Sequence, residues 1–249
     1  ATVLAQGEMV GVKVAGGFGP VLFEPSQMTY LQENPGSAIT AIAEGFADAL
    51  LADQLNTAVG CGVAAVENIA ALVNDVSASA GVTQGGLNNS HRKFGDMGSL
   101  LAADIMRGDV YYRLVAEAIA NASQLFLSTN VQVVDILGKI VVISDIPALY
   151  AAGSPNKDKV LSVTAGGIIV DNSSDIVSNM ETTNGKLRIE TTWQSDYTFG
   201  VKLKGYAWDV TNGGASPTDA ELFTGTNWDK AVTDNKHTLG TLLIGSADV

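Results

Sequence analysis

Apolar residues recur at steps of mostly three or four through one long segment in the first third of the chain, a spacing typical of one helix face. Pro35 suits a first helical turn, and Gly81 suits a stop. We therefore predict a helix over residues 35–78, about 60 Å long at about 1.5 Å per residue. The positions that carry this stripe are Ile39, Ile42, Phe46, Leu50, Leu55, Val59, Val63, Val66, Ile69 and Val73.

Glycines interrupt this predicted helix, and each one weakens a helix by about 1 kcal/mol. Gly45, Gly60 and Gly62 lie inside it, so two helices broken near Gly60 remain the alternative. A membrane span is excluded at this stage, because no apolar run reaches the roughly 20 residues that a bilayer requires. The acidic residues that interrupt the segment are Glu44, Asp48, Asp53 and Glu67.

The stretch before the helix, residues 6–34, has an extended pattern. Two β-rich runs surround Gly16, Gly17 and Gly19 in MVGVKVAGGFGPVLFEP. This pattern predicts a β-hairpin whose loop is longer than the tight two-residue kind. A two-stranded hairpin is only marginally stable by itself. We therefore expect this one to contact something outside its own sequence.

Helical and extended stretches alternate after residue 82, which predicts a mixed α/β lobe. The helical stretches are LNNSHRKFGD, which ends at Gly95, and VYYRLVAEAIANAS, which Asp109 can cap. The extended stretches are SLLAADIM, ILGKIVVISD and KVLSVTAGGIIV.

The last third alternates between apolar and polar residues and is predicted to be rich in strands. KLRIETTW and DYTFGVKLKGYAWDV form a predicted hairpin. At Gly205 the apolar phase changes, from Phe199 and Leu203 before it to Tyr206 and Trp208 after it. A one-residue slip of this kind predicts a β-bulge or a bend. The stretch TNGGASPTD that follows has the composition of a loop.

Charge and cysteine content narrow the function classes. Acidic residues outnumber basic ones by 26 to 14, giving a formal net charge of -12, which argues against a nucleic-acid-binding surface. The chain is 46% hydrophobic and 16% charged, which indicates a folded core in one large domain or two interleaved lobes. Cys61 is the only cysteine, so we expect a buried structural thiol and a reducing compartment. The start of the chain has neither an initiator Met nor a signal pattern, which suggests a processed or partial chain.

Motifs for catalysis or cofactor binding are missing from the sequence. His91 and His237 are the only histidines, and H-E-x-x-H, C-x-x-C and G-x-S-x-G do not occur. Asp171 and Asp175 lack the other oxygen ligands of a calcium loop. We predict no catalytic residue, no cofactor and no metal site. His91, beside two basic residues, is interpreted as part of a polar helix face.

Several motifs, taken in order, resemble those of tailed-bacteriophage (Caudovirales-type) major capsid proteins. They are KFGDMGSLLAADIMRGDVYYRLVAEAIA, LGKIVVISDIPAL, LKGYAWDV, SPTDAEL and NWDK. The resemblance covers nearly the whole chain. Each motif alone is weak evidence for the family, and the resemblance rests on the order and spacing of all of them. Lys139 stands where the family has Arg, Arg107-Gly108 replaces a His-Ser pair, and the N-terminal arm is short or missing before Ala1.

The resemblance implies an α+β fold, the phage major-capsid fold, with five parts. Residues 1–34 would be an N-terminal remnant and an extended E-loop, and residues 35–78 the spine helix of the P-domain. Residues 79–185 would form a mixed α/β A-domain, and residues 186–235 the P-domain strands with a peripheral loop. Residues 236–249 would return as a C-terminal strand to the A-domain.

The implied function is a coat protein that self-assembles into pentamers and hexamers of an icosahedral shell around double-stranded DNA. The alternatives are an encapsulin-like cellular compartment and an enzyme of unrecorded type. The implied partners are other copies of the chain, with decoration, scaffolding and portal proteins, and no membrane. The implied location is the virion, after assembly in the host bacterial cytoplasm. An acidic inner face would keep packaged DNA from adhering to the shell.

Six residues are predicted to lie at subunit interfaces, and two kinds of observation select them. Some are large or charged side chains of the first, extended segment, and the others are tryptophans near loops of the last third. Some families with this fold crosslink a hairpin Lys to an Asn of a neighbour. Lys13 is the only candidate for that role here, and a simple salt bridge or a solvated side chain is the competing interpretation. The six residues are Lys13, Phe18, Phe23, Glu24, Trp208 and Trp228.

Overall fold

A computed structural model describes residues 9–33, 35–125, 139–185 and 188–248 of the chain. The strands are β1 (Val12–Phe23), β2 (Val73–Asp75), β3 (Leu101–Met106), β4 (Ile140–Ile143), β5 (Tyr150–Ala151), β6 (Lys157–Thr164), β7 (Ile168–Asn184), β8 (Ile189–Leu203), β9 (Tyr206–Trp208), β10 (Trp228–Lys230) and β11 (Gly240–Ser246). The helices are α1 (Pro25–Glu33), α2 (Pro35–Glu67), α3 (Gln84–Arg92), α4 (Gly108–Leu125), α5 (Val210–Gly213) and α6 (Asp219–Leu222).

One sheet has six strands in the order β2-β11-β6-β3-β4, with β5 paired to β6. Both parallel and antiparallel pairs occur in it. The strands β6 and β11 are buried almost throughout. Such continuous burial is expected for strands whose two faces are both covered. On one face, helices α3 and α4 pack against the sheet through Leu87, Leu114, Val160 and Leu243.

The second sheet is a long antiparallel ribbon of three strands in the order β1-β8-β7. Alternate residues of β8 are buried, among them Tyr197, Phe199, Val201 and Leu203, as the period-two pattern predicted. Two irregularities interrupt the register, one between Phe18 and Val21 and the other between Asn172 and Ile176. Irregularities of this kind bend a strand and increase its local twist. We call the part beyond them the ribbon tip: 176–184 of β7, 189–195 of β8 and 21–23 of β1.

Helix α2 connects the two sheets and is continuous over 33 residues. One buried cluster contains its Val59, Val63 and Val66 together with Phe199 of the ribbon and Leu242 of the six-stranded sheet. The chain therefore has one main core, to which the ribbon contributes only its near half.

The alternative of two helices broken near Gly60 does not occur, because the glycines allow close packing. A Cβ at Gly60 would overlap the ring of Phe223, and one at Gly62 would lie 3.0 Å from Ile168 and 3.2 Å from Leu161. The predicted helix end at residue 78 is wrong, because α2 ends at Glu67. Val73 pairs with Leu242 in the six-stranded sheet instead.

Both predicted hairpins are wrong. Residues 12–23 form the single strand β1, because a longer strand, β8, pairs with this segment on both sides of its glycines. A helix, α1, follows it. KLRIETTW and DYTFGVKLKG likewise belong largely to the single strand β8, whose partners are β1 and β7.

The stretch KVLSVTAGGIIV was predicted as one strand, and a turn divides it into β6 and β7. β7 belongs to the ribbon. Residues 168–184 therefore lie outside the six-stranded sheet, in contrast to the predicted α/β lobe of residues 79–185. The C-terminal strand β11 lies inside that sheet, between β2 and β6.

The predicted bend at Gly205 is present. Its φ is +81°, in the region that favours glycine, and a Cβ there would lie 2.8 Å from the carbonyl oxygen of His237. The chain turns at this point and leaves the ribbon, so that β9 pairs with β10 in a separate two-stranded sheet. The apolar positions therefore change phase at the point where the chain passes from the three-stranded ribbon to the two-stranded sheet.

One stretch of α2, Ile42–Glu67, is long and apolar enough to cross a membrane by composition. Just over half of its most apolar window, 56%, is buried inside the protein. Because its C-terminal half belongs to the main core, the helix has the environment of a core helix.

Candidate functional site: the assembly surfaces

Exposed apolar side chains are concentrated at the ribbon tip. Val177, Ile176, Met180, Ile189 and Leu22 are all exposed there, and Val177 is 70% exposed. Successive residues of a strand point to opposite faces, so Ile176 and Met180 lie on one face and Val177 on the other. Monomeric proteins rarely expose contiguous apolar surface of this kind. The ribbon tip therefore has the character of a contact surface on both of its faces.

The first half of α2 has an exposed outer face. Leu51 is 61% exposed, and Leu55 lies one turn further along the same side. Glu44 and Asp48 are exposed on the preceding turns, and helix α2 contains no Lys or Arg. An apolar groove of about 360 Å³ separates this half of the helix from the ribbon tip. The residues that line it are Ile42, Ala43, Phe46, Ile176, Ser178, Met180, Trp193 and Ser195.

An aromatic cluster attaches the ribbon to α2 at the base of the ribbon tip. Phe46 of α2 lies edge-on to Phe18, Trp193 and Tyr197, with ring centroids 5.9 to 6.0 Å apart. Pairs of this geometry stabilise by about 0.5–1.5 kcal/mol beyond the area that they bury. This cluster fixes the angle at which the ribbon leaves the core.

Two polar contacts support the same attachment. The hydroxyl of Tyr197 donates to Asp53 Oδ2 at 2.8 Å, and the Gln54 amide donates to Asn172 Oδ1 at 2.7 Å. Desolvation, followed by the bond to Asp53 and the charge of that carboxylate, raises the pKa of Tyr197. The phenol is therefore neutral at any physiological pH and stays a donor.

Four of the six predicted interface residues lie on or next to the ribbon. Lys13 forms an exposed ion pair with Asp175, with 3.6 Å between Nζ and Oδ2. Glu24 pairs with Arg188 at 2.9 Å, and both side chains are substantially exposed. Phe18 belongs to the aromatic cluster, and Phe23 is half-buried at the end of β1. These four residues are accessible to a neighbour in different degrees.

The other two, Trp208 and Trp228, require a correction. They are 5% and 2% exposed, and their rings pack against each other with centroids 4.9 Å apart. Trp208 Nε1 donates to the carbonyl of Gly214 and Trp228 Nε1 to that of Leu222, both at 2.9 Å. The pair is buried inside the protomer, so the tryptophans fix the loops around them and offer no surface to a neighbour.

The edge strand β4 is an exposed apolar surface that the sequence reasoning missed. Ile140, Val142 and Ile143 are exposed, and so is Tyr112 on the nearby helix α4. The run IVVI was assigned only as a strand, and its composition does not distinguish a central strand from an edge strand. Among the described residues, β4 has a partner only in β3.

A buried Ser–His–Asp group was also unforeseen. His91 Nε2 lies 3.0 Å from Asp104 Oδ1 and 3.1 Å from Ser162 Oγ. A catalytic triad uses the two ring nitrogens for different partners and opens onto substrate. Here one nitrogen serves both, and all three side chains are buried. His91 therefore belongs to the core, which corrects its assignment to a polar helix face. The described residues contain no cluster of possible metal ligands.

The chain is similar in structure to solved shell proteins. The holo-SrpI encapsulin complex from Synechococcus elongatus PCC 7942 matches with a TM-score of 0.53 at 9% identity, over 94% of this chain and 73% of that one. The cyanophage Pam1 capsid matches with a TM-score of 0.51 at 12% identity, over 95% and 75%. The capsid of Helicobacter pylori bacteriophage KHP30 matches with a TM-score of 0.48 at 8% identity, over 95% and 75%. No curated protein matches the sequence.

The likenesses to the SrpI complex and the Pam1 capsid establish the α+β capsid fold and, at such low identity, nothing finer. A family model extends the result to function, because it matches residues 1–242. The family is a structural one, so the protein is a shell component of a virion and not an enzyme. The chain belongs to the Gp13-like family, described as major capsid protein 13-like.

Proposed function

We propose that the chain assembles with copies of itself into pentamers and hexamers of an icosahedral shell that encloses double-stranded DNA. The observation that carries this proposal is the exposed apolar surface of the ribbon tip beside the equally exposed outer face of α2. A protomer with a complete core elsewhere has no internal use for this surface. In a closed assembly, neighbouring copies bury such patches.

Within this shell, the six-stranded sheet with α3 and α4 would be the A-domain around the capsomer centre. Helix α2 and the near half of the ribbon would form the P-domain. Residues 1–34 would include the E-loop that reaches a neighbour, with β1 as part of it. Lys13, Phe18, Phe23 and Glu24 are retained as interface candidates on this basis. The exposed pair of Lys13 with Asp175 supports an ordinary salt bridge rather than a crosslink.

Several finer parts of the proposal follow from the class of protein. Assembly would take place in the host bacterial cytoplasm, with scaffolding and portal proteins and with a decoration protein on the outside. The formal charge of -12 would make the inner face non-adhesive toward packaged DNA. A strongly basic inner surface in a map of the assembled shell would contradict this last part.

An encapsulin-like compartment is the second candidate, because the SrpI encapsulin complex has the same fold. The contents of purified particles separate the two. Double-stranded DNA inside particles from infected cells supports the virion shell, whereas an enclosed cargo enzyme without DNA supports the compartment.

The assembly surface can be tested with charges placed at the ribbon tip. The double variant Val177→Asp, Ile189→Asp should remain folded, because both side chains are exposed. It should fail to form large particles in sedimentation and electron microscopy, because carboxylates would be desolvated at the contact. The matched control is Asn88→Asp, Thr233→Asp, which adds the same charge at exposed polar positions outside the ribbon tip and α2. Normal particles from the Val177 and Ile189 variant would refute the proposed surface.

A further inference from the structure

Two asparagines of the chain are directly followed by glycine, at Asn184-Gly185 and Asn212-Gly213. In such a pair the backbone nitrogen of the glycine can attack the side-chain amide of the asparagine, because glycine has no Cβ to hinder the approach. The attack requires that neither group is held elsewhere. The structure places the two pairs in opposite environments.

In the pair Asn212-Gly213 both reacting groups are held by hydrogen bonds. The side-chain amide of Asn212 donates to Asp209 Oδ2, and the backbone nitrogen of Gly213 donates to the carbonyl of Asp209 at 2.8 Å. Both residues belong to helix α5, and Gly213 is buried against the ring of Trp208. Each hydrogen bond that must break before the attack slows it by about tenfold. This pair is therefore protected from the reaction.

The pair Asn184-Gly185 lies at the far end of the ribbon tip. Asn184 is the last residue of β7, in register with Ile189 of β8, and it is exposed. In the part of the chain that the structure describes, its side chain has no hydrogen-bond partner. Gly185 follows the strand and lies outside it. Because the end of a ribbon opens at a small cost in free energy, this pair can reach the geometry of attack.

We propose that Asn184 is a site of spontaneous deamidation. The backbone nitrogen of Gly185 bonds to Cγ of Asn184, and the side-chain nitrogen leaves as ammonia with the proton that the Gly185 amide loses. The cyclic imide that results takes up a water molecule, and cleavage of one or the other of its C–N bonds gives aspartate or isoaspartate. The net reaction exchanges an amide and water for a carboxylic acid and ammonia, without oxidation or reduction.

The reaction places a negative charge on an apolar face of the ribbon tip. Asn184 shares its face of β7 with Ile176 and Met180, because alternate residues of a strand point to the same side. A neighbour that buries this face must then desolvate a carboxylate, which is costly without a partner of opposite charge. Isoaspartate also lengthens the backbone at the end of the strand. Deamidated subunits are therefore excluded from the shell, a consequence that rests on the proposed function.

Peptide mapping by mass spectrometry tests the chemistry in the full chain, aged in mildly alkaline buffer before assembly. Conversion of amide to acid at Asn184 should be at least about tenfold faster than at Asn212, where hydrogen bonds must break first. Asn184→Gln should abolish the fast conversion, because glutamine would have to close a larger ring, whereas Asn212→Gln should leave it unchanged. A stable Asn184, or equal rates at the two pairs, would overturn the proposal.

Assembly of the partly aged protein tests the consequence for the shell. The particles should contain a smaller fraction of subunits deamidated at Asn184 than the protein that stays unassembled, and aged Asn184→Gln should assemble as well as fresh protein. Equal fractions in the two pools would overturn the exclusion of deamidated subunits. A chain that forms no particles even when fresh would contradict the proposed function instead, while the peptide map would still decide the chemistry.

Discussion

The six-stranded sheet and the three-stranded ribbon belong to one chain and use strand residues in opposite ways. In β6 and β11 nearly every side chain is buried, and the sheet is covered by helices. In β7 most side chains are exposed, and only the near half of the ribbon contributes to the core. Apart from its exposed edge strand β4, the first sheet is thus covered within the protomer, whereas the ribbon tip has apolar side chains that only neighbours can bury. A shell subunit requires both kinds of region. The covered sheet forms the rigid body of the protomer, and the ribbon tip carries an apolar surface that becomes buried only in the assembly.

The largest difference between the regions should appear when apolar side chains are truncated. Leu161→Ala in β6 removes a fully buried side chain and should reduce the free energy of unfolding by about 2–5 kcal/mol. Val177→Ala at the ribbon tip should change it by less than about 0.5 kcal/mol in unassembled protein. Urea unfolding of the two variants gives both values. Equal losses would mean that the ribbon tip is part of the protomer core.

Two glycines of α2 provide a matched test of where the helix is packed. Gly60→Ala places a methyl group against the Phe223 ring and should destabilise the protein by about 1–3 kcal/mol. Gly45→Ala meets no atom within 4 Å and should stabilise it by up to about 1 kcal/mol through helix propensity. Thermal unfolding of both variants measures the contrast. Loss of stability in both would show that the first half of α2 is also covered.

Loss of the hydrogen bond between the ribbon and α2 should reduce the free energy of unfolding by a smaller amount. Tyr197→Phe removes the bond to Asp53 and should cost about 1 kcal/mol of unfolding free energy. The aromatic ring and its contact with Phe46 remain. Asp53→Asn serves as the control, because the amide oxygen can still accept from the phenol. A similar loss in both would show that the bond stabilises the protein only when its acceptor is charged.

Acid should affect the six-stranded sheet through Asp75. Desolvation disfavours the ionised carboxylate, but bonds from the hydroxyl and amide of Ser77 and from Lys157 outweigh this and lower the pKa of Asp75. A lowered folded-state pKa contributes stability above the ordinary value of about 3.9, which is lost as the pH falls through the folded-state value. Unfolding measured from pH 6 to pH 2 should therefore be less pH-dependent in Asp75→Asn. The same slope in both proteins would exclude this contribution.

The exposed ion pair of Lys13 and Asp175 should contribute least to the free energy of unfolding. Exposed ion pairs contribute about 0–1 kcal/mol, so Lys13→Ala should leave stability nearly unchanged. Denaturing gels of assembled particles test the crosslink at the same residue. Single monomer bands are expected, and a ladder of covalent oligomers that disappears in Lys13→Ala would reverse this interpretation.

Sequence patterns predicted those elements whose residues are selected by a local core. The buried alternation of β8 follows from apolar spacing, the start of α2 from Pro35, and the bend at Gly205 from a phase change. The two hairpin predictions are wrong because strand pairing depends on partners that are distant in sequence. Strand β1, for example, pairs with residues about 180 positions later. Val73 has helical spacing but joins a sheet for the same reason.

The assembly surface was predictable only in part. Lys13 and Glu24 were selected because charged side chains stood out in an apolar segment, and both lie on the surface. Trp208 and Trp228 were selected for size, which does not distinguish a buried pair from an interface pair. Val177 and Met180 gave no signal, because isolated apolar residues in a polar strand are common on any surface. Only the fold shows that they lie together.

The most direct test of the incomplete ribbon is a side-chain-resolution electron-microscopy map of the assembled particle. Our account predicts that Val177, Met180 and Ile189 are in contact with a neighbouring subunit, while Leu161 and Leu242 remain inside the protomer. A map in which the ribbon tip and the outer face of α2 both face solvent in every subunit would contradict it.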